Sequence, residues 1–194
     1  MLRLGASLAD AGVTLLEYRN KYGSEAELLE DAEILRRAMP VGGVKLIMDD
    51  RAELVDRIGF DGVHVDAGDV SPGEARRIVG PDRIVGTFGG SDSLLPGVLE
   101  QPADYFSIGP VFTTTTKQTD KEPIGVEGVR RLREQAGPDA VLVAAAGITL
   151  ETAPQVLRAG ATTVAVAAAL FTKADPGAEF RLWMDFIKGS SVRG

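Results

Sequence analysis

The chain has 194 residues, 44% of them hydrophobic and 25% charged, which is typical of a soluble globular protein large enough to bury a core. A net charge of −7 argues against a surface for nucleic acid or for anionic membranes, and the absence of cysteine excludes disulfides and cysteine-ligated metals. We see no signal-peptide pattern and no apolar run near the ~20 residues of a membrane span, so we expect a cytoplasmic protein.

Seven short apolar or β-branched runs predict strands, and amphipathic segments between them predict helices. The predicted strands are 13–18, 44–48, 62–65, 84–87, 105–108, 140–144 and 163–166. The predicted helices are 2–11, 25–37, 51–58, 71–79, 125–135, 150–158 and 176–187. Continuous apolar strands are typical of parallel sheets that helices cover on both faces.

The same helix-to-strand turn recurs along the chain. A glycine follows four predicted helices, where a left-handed residue ends a helix: Gly59, Gly80, Gly137 and Gly160. The segments 59–63 and 160–164 match each other in pattern. This repetition indicates βα units within one domain that spans residues 1–194.

Two α/β architectures fit these units: a TIM (β/α)₈ barrel and an open doubly wound sheet. A barrel gathers the C-terminal ends of all its strands at one mouth, whereas an open sheet gathers only those at its switch point. Polar or small residues of functional type follow nearly every predicted strand, which favours the barrel. They are Glu17, Arg19, Lys21, Asp49, Asp50, Asp66, Asp69, Thr87, Phe88, the threonine loop 109–119, and the pairs 146–147 and 167–168.

The predicted barrel lacks its first strand, because the sequence opens with a helical pattern. Either Met1 is not the natural start, or the barrel closes around a missing strand. Since an unfilled slot leaves ladder groups unpaired, we expect poor order at the N-terminus or coverage by a neighbouring chain. A homo-oligomer is therefore compatible with the sequence.

The segment 109–119 carries four consecutive threonines followed by Lys117. Hydroxyls and loop amides donate hydrogen bonds to phosphate oxygens, and an ammonium supplies the compensating charge. A threonine-rich edge strand or surface turn would give the same pattern. Arg19 and Lys21 alternate on an extended segment and so point to one side, where with Lys117 they would form a diphosphate site; a solvated strand end is the alternative.

Carboxylates follow two neighbouring strands: Asp49 and Asp50 the second, Asp69 the third. Mg²⁺ favours one or two carboxylates with phosphate oxygens and water, so Asp50 and Asp69 are candidate ligands. Asp50 could instead cap the helix that begins near residue 51. His64, the one histidine, and Trp183, the one tryptophan, are interpreted as packing residues.

The chain from residue 4 to about 172 resembles the thiamine phosphate synthase family. The matching pieces are 18–21 (Tyr-Arg-Asn-Lys), 48–51 (Met-Asp-Asp-Arg), 61–65 (Asp-Gly-Val-His-Val) with Asp69, 109–112 (Gly-Pro-Val-Phe) with Thr114, Thr116 and Lys117, 123–128, and 160–166. Each piece alone is weak, whereas their combination in this order is specific.

The resemblance implies a barrel enzyme that joins hydroxymethylpyrimidine diphosphate to a thiazole phosphate, giving thiamine phosphate and pyrophosphate. It implies that Arg19, Lys21 and Lys117 hold the diphosphate and that Asp50 and Asp69 hold Mg²⁺. It also implies that Thr114 and Thr116 contact the thiazole phosphate, with backbone amides near Gly147 and Ala168. No protein nucleophile is required, and the sequence offers none.

Several positions depart from the family's pattern. Glu17 stands where Gln is usual, Asp49 where Asn is usual, and Phe88 where a small hydroxyl residue is usual. Ala146-Gly147 replaces a Gly-Gly pair, and Ala168 replaces Ser. We assign Asp49 to the substrate site, where it and Glu17 add negative charge beside the diphosphate. We expect Glu17, protonated or bonded to a substrate amine, to replace the amide, and the Phe88 ring to stack on the pyrimidine.

Two other functions fit the sequence. Thiazole tautomerases share the fold, but they use a histidine in the loop after the strand at residue 84, where this chain has Phe88-Gly89-Gly90-Ser91. A catalytically degenerate barrel that senses phosphate or a thiamine precursor is the second alternative, kept open by Glu17, Phe88 and the missing strand.

Overall fold

The computed structural model of the chain describes residues 1–39, 42–114 and 120–191. Its strands are β1 Leu15–Tyr18, β2 Lys45–Asp49, β3 Gly62–Val65, β4 Ile84–Gly90, β5 Tyr105–Ile108, β6 Leu142–Ala145 and β7 Thr163–Ala165. Its helices are α1 Leu2–Asp10, α2 Glu25–Ala38, α3 Val55–Ile58, α4 Pro72–Val79, α5 Gly125–Ala136, α6 Ala153–Arg158, α7 Ala168–Phe171 and α8 Pro176–Ser191, with 3₁₀ turns at Ala52–Leu54 and Val98–Glu100.

The seven strands form one parallel sheet in sequential order from β1 to β7. This is the predicted α/β TIM-like fold with one strand fewer than an eight-stranded barrel. Parallel pairing places the C-terminal ends of all the strands on one face of the sheet. Among the residues that the structure describes, no helix is both long and apolar enough to cross a membrane.

The sheet has two edges, β1 and β7. Beside β1, a cavity of about 140 Å³ is lined by residues of α1, β1 and α7, among them Leu8, Glu17 and Phe171. Helix α1 packs against α2 and α8. The contact with α2 is close, because a methyl group at Gly5 would lie 2.7 Å from the Ala38 Cβ. The N-terminal segment thus packs as a helix, whereas coverage of the edges by a neighbouring chain stays a prediction.

One arginine brace occurs three times at the N-terminal ends of the strands. In each, the backbone N–H of the first or second residue of a strand donates to a side-chain oxygen just before the next strand, and a helix arginine donates to that same oxygen. The three sets are Leu46, Asp61 and Arg36; Val85, Asp104 and Arg76; and Leu142, Thr162 and Arg133. The predicted likeness of segments 59–63 and 160–164 is therefore confirmed, since Asp61 and Thr162 occupy equivalent places.

The apolar core lies in two clusters, one built on β1 to β4 and one on β5 to β7. Phe60 and Leu46 have no exposed surface in the first cluster, and Leu132 has none in the second. Complete burial of one such side chain stabilises the fold by roughly 1.5–3 kcal/mol. Trp183 is buried in the second cluster, as predicted, and its indole N–H donates to Glu179.

Predicted and observed element boundaries differ most where the backbone bends. The helix predicted over 51–58 begins as a 3₁₀ turn, because Asp50 and Arg51 both have positive φ, 61° and 51°. Strand β4 continues past the predicted end at Thr87 through a register shift between Phe88 and Gly90. Helix α7 has four residues and was too short to show a helical period.

Candidate active site

The sequence-predicted site residues that the structure describes lie at the C-terminal ends of the strands. Glu17 and Asp49 lie in β1 and β2, and Phe88 lies near the end of β4. The others follow their strands: Arg19 and Lys21 after β1, Asp50 after β2, Asp69 after β3, Thr114 after β5, Gly147 after β6 and Ala168 at the start of α7. Thr116 and Lys117 lie outside the described residues. The strand ends thus bring acidic, basic and hydroxyl groups to one mouth.

A cluster of opposite charges lies at the ends of the first three strands. Lys21 Nζ lies 3.1 Å from Asp49 Oδ1, 2.8 Å from Asp50 Oδ2 and 3.3 Å from Asp69 Oδ2. Arg19 donates to Asp49 Oδ2. The same-side orientation predicted for Arg19 and Lys21 is therefore observed, and three carboxylates face two cations.

Lys21 is held in its charged form by this arrangement. Burial alone would lower the pKa of its ammonium group. The contacts with Asp50 and Asp49 outweigh burial and raise the pKa above its ordinary value. Lys21 is therefore a permanent cation at the mouth.

The carboxylates fit the hard divalent cation that the resemblance implies. Asp49, Asp50 and Asp69 each offer an oxygen within 4.8 Å of the others. Asp49 Oδ1 and Asp50 Oδ1 are buried and have no hydrogen-bond partner among the described residues, although the first is at ion-pair distance from Lys21. Oxygen ligands of this kind suit Mg²⁺.

Backbone geometry orients two of these acids. The left-handed turn at Asp50 and Arg51 redirects the chain immediately after β2, and the Asp50 N–H donates to the His64 carbonyl. No side-chain cap is made at the start of the following turn, so the capping alternative for Asp50 is not observed. Asp69 Oδ2 accepts from the Asp66 N–H at 2.8 Å, which fixes its loop. Positive φ at two adjacent non-glycine residues is unusual and clusters at functional sites.

Glu17 is exposed on the edge strand β1, where it lines the cavity beside that strand, although many protein atoms surround its carboxyl group. Its enclosure by protein raises the pKa of its carboxyl group, and the charges of Asp49 and Asp66 act in the same direction. His64 and Arg19 oppose this effect without overcoming it. Glu17 therefore keeps a proton more readily than an ordinary glutamate. Its replacement of the family's Gln stays a prediction.

His64 and Tyr105 form a buried pair below the mouth. The rings stack at 5.5 Å, and His64 Nδ1 lies 3.1 Å from the Tyr105 hydroxyl. Burial disfavours the imidazolium, but Asp66, 3.5 Å from Nε2, and Glu17 raise the pKa of His64 above its usual value. The sequence interpretation of His64 as a core residue is confirmed by its 6% exposure.

Phe88 contacts a cation that the sequence reasoning missed. Lys121 Nζ lies 3.6 Å from the centroid of the Phe88 ring. Phe88 also borders an open cavity of about 310 Å³, which Asp69 and Thr87 line as well. A second lysine four residues after Lys117 was the available sequence signal. Its position in the β5–α5 loop adds positive charge beside the cavity.

The residues after β6 approach the threonine loop. A methyl group at Gly147 would lie 2.5 Å from the Thr113 carbonyl oxygen and 2.6 Å from that of Phe112, so this close approach requires glycine. The preceding Ala146 has a φ of 74°, a conformation in which glycine is favoured. Ala168 is exposed at the start of α7.

Comparison with known proteins identifies relatives over most of the chain. The chain is 40% identical over 177 residues to a thiamine-phosphate synthase of Agrobacterium fabrum, a match that covers 90% of this chain and 80% of that protein. It is 43% identical over 163 residues to one of Koribacter versatilis, covering 84% of this chain and 76% of the relative. The solved structure of a thiamine phosphate pyrophosphorylase of Pyrococcus furiosus superposes with a TM-score of 0.81 at 25% identity, covering 97% of this chain and 90% of that chain.

A family model matches the chain over nearly the whole described barrel. The model described as thiamine monophosphate synthase matches residues 2–170, from α1 to α7. The chain therefore belongs to the thiamine monophosphate synthase family.

Proposed function

We propose that this protein is a thiamine phosphate synthase, which joins hydroxymethylpyrimidine diphosphate to thiazole phosphate and releases pyrophosphate. The observation that carries the proposal is the meeting of Arg19 and Lys21 with three carboxylates at the mouth of a barrel of this family. The proposal includes Mg²⁺ as cofactor, phosphorylated small molecules as partners and a cytoplasmic location.

The proposed reaction needs charge stabilisation more than it needs a nucleophile from the protein. The bond between the pyrimidine methylene carbon and the diphosphate oxygen breaks, and the thiazole nitrogen forms a bond to that carbon. Negative charge accumulates on the leaving pyrophosphate. Arg19 and Lys21, which meet at the mouth, would neutralise that charge, and positioned charges of this kind commonly supply the largest part of a rate enhancement. Mg²⁺, when bound, would supply further neutralisation of the diphosphate oxygens.

The other residues would orient the two substrates. The raised pKa of Glu17 supports its action as a protonated group, able to donate to the pyrimidine where the family's usual Gln would donate an amide hydrogen. Phe88, with Lys121 on one face of its ring, borders the open cavity after β4, which we assign to the pyrimidine. Thr114, with backbone amides near Gly147 and Ala168, would hold the thiazole phosphate, and we retain Thr116 and Lys117 in their predicted roles.

Product formation tests this proposal and separates it from the two alternatives. The protein is incubated with both substrates and Mg²⁺, and thiamine phosphate and pyrophosphate are measured together. A synthase releases both in equal amounts, whereas a tautomerase or a sensor releases neither. Asp69→Asn should lower kcat/KM at least about 100-fold, as does the loss of one charge-stabilising group in other enzymes. Lys45→Met, which removes a lysine–aspartate pair at the opposite end of the strands, should leave it unchanged.

A further inference from the structure

The ammonium group of Lys21 is placed as a cation bound by three acids. It contacts one oxygen each of Asp49, Asp50 and Asp69, at 3.1, 2.8 and 3.3 Å. These same three residues are the group of carboxylates close enough together to share a metal ion. A lysine and a metal cation therefore have the same ligands available to them.

We propose that Lys21 and a divalent cation are alternative occupants of one three-carboxylate site, and that Asp49 is a ligand of that site in this chain. The inference deepens the proposed function, on which its assignment of metal and diphosphate rests. It differs from the sequence expectation, which assigned only Asp50 and Asp69 to the metal and placed Asp49 with the substrate.

Burial makes the identity of residue 49 important. The Asp49 side chain is only 2% exposed, so its charge is poorly hydrated and depends on the cations beside it. Arg19 contacts Oδ2, which leaves Oδ1 directed at Lys21 without a hydrogen-bond partner. An asparagine here would remove one negative charge from the cluster. Asp49 therefore both retains Lys21 and favours a doubly charged ion in its place.

Electrostatics favours exchange of the two occupants. Three carboxylates around a single ammonium, with Arg19 at one side, keep a net negative charge. A divalent cation brings two charges to the same oxygens and prefers such hard ligands. The displaced Lys21 would then carry an unpaired charge at the mouth, where a diphosphate is the matching acceptor.

This exchange couples the two ligands. A divalent cation that binds without diphosphate must break the contacts of Lys21 with the carboxylates. It supplies no anion to replace those contacts. A diphosphate is such an anion, so each ligand should strengthen the binding of the other by the same factor. Lys21 therefore weakens the binding of a divalent cation that arrives without diphosphate, but does not prevent it.

Mn²⁺ binding measured by electron paramagnetic resonance, with no substrate present, tests the shared site. Lys21→Met should raise Mn²⁺ affinity roughly tenfold or more, a usual size for coupling between sites. Arg19→Met is the matched control. The substitution also removes one positive charge beside Asp49, but Arg19 contacts neither Asp50 nor Asp69 among the described residues. It should raise the affinity by clearly less. Equal effects of the two variants, or no gain from Lys21→Met, would overturn the shared site.

The same titration tests the role of Asp49. Asp49→Asn keeps the shape of the side chain and should weaken Mn²⁺ binding about tenfold or more, since even the loss of a group that only orients a metal ligand costs about 10- to 100-fold in affinity. Unchanged or tighter binding would show that Asp49 serves only Arg19 and Lys21.

Amine acetylation of the unmodified protein gives a second readout that needs no variant to fold. Mg²⁺ alone should increase the acetylation rate of Lys21, read by mass spectrometry, while Lys45, paired with Asp61 at the other end of the strands, stays constant. A Lys21 rate that does not rise with Mg²⁺ contradicts displacement. Added pyrophosphate should then protect Lys21 again. Since the Mg²⁺ arm needs no turnover, its result is independent of whether thiamine phosphate forms.

Discussion

Replacing Gly86 with alanine should destabilise the barrel by displacing the Tyr105 ring. A methyl group at Gly86 would lie 2.0 Å from Tyr105 Cζ and 2.4 Å from both Cε atoms, far inside van der Waals contact. Overpacking of this kind costs about 1–3 kcal/mol, and loss of the bond to buried His64 adds about 1–3 kcal/mol. We therefore expect the free energy of unfolding to fall by about 2–6 kcal/mol.

Urea denaturation followed by Trp183 fluorescence measures this loss, because the one tryptophan is buried in the core. Gly73→Ala is the matched control, since its methyl group would meet nothing nearer than Ser71 Oγ at 4.0 Å within helix α4. It should stabilise the protein by about 0.5–1 kcal/mol. In a Tyr105→Ala background, Gly86→Ala should cost little. A loss below about 1 kcal/mol, or equal losses in both backgrounds, would refute the steric argument.

Three further predictions concern Glu17 at the mouth, Ala146 after β6 and Arg133 in an arginine brace. Glu17→Gln should flatten the pH dependence of stability. Because the pKa of Glu17 is raised in the folded state above the ordinary value of 4.5, the folded protein loses stability as the pH rises through the folded pKa. The urea midpoints measured at about pH 5 and about pH 8 should therefore lie closer together in the variant than in the unmodified protein. Ala146→Gly should stabilise the protein by about 1 kcal/mol in thermal unfolding, since φ is 74° there; destabilisation would show that the methyl group packs favourably. Arg133→Met should lower stability by about 2–4 kcal/mol, because its bonds to the Gly160, Gly137 and Ala140 carbonyls are lost, without changing kcat of the folded enzyme.

The order and type of the main elements could be predicted because parallel strands are continuous apolar runs. Strands β3 and β5 have the predicted boundaries. Boundaries failed where local geometry departs from a simple period. Asp50 and Arg51 adopt positive φ although neither is glycine, and Phe88 stays in β4 through a register shift. Neither feature has a sequence pattern of its own.

The convergence of Arg19 and Lys21 with Asp50 and Asp69 was predictable, because strand ends must meet at one mouth. The detailed pairing was not. That Lys21 contacts all three carboxylates, including Asp49, depends on side-chain reach and burial that spacing does not encode. The contact of Lys121 with Phe88 depends on how the β5–α5 loop folds back, which is likewise a tertiary property.

The arginine braces have a consequence for how this protein can change over evolutionary time. Each brace ties one helix to its adjoining strands at the end of the sheet remote from the ion cluster. The contacts that stabilise the fold and the residues of the candidate site therefore lie at opposite ends of the strands. Substitutions at the site end, such as those that gave Glu17, Asp49 and Phe88, leave the braces intact. The fold can therefore accept changes in the chemistry of the site without losing these stabilising contacts.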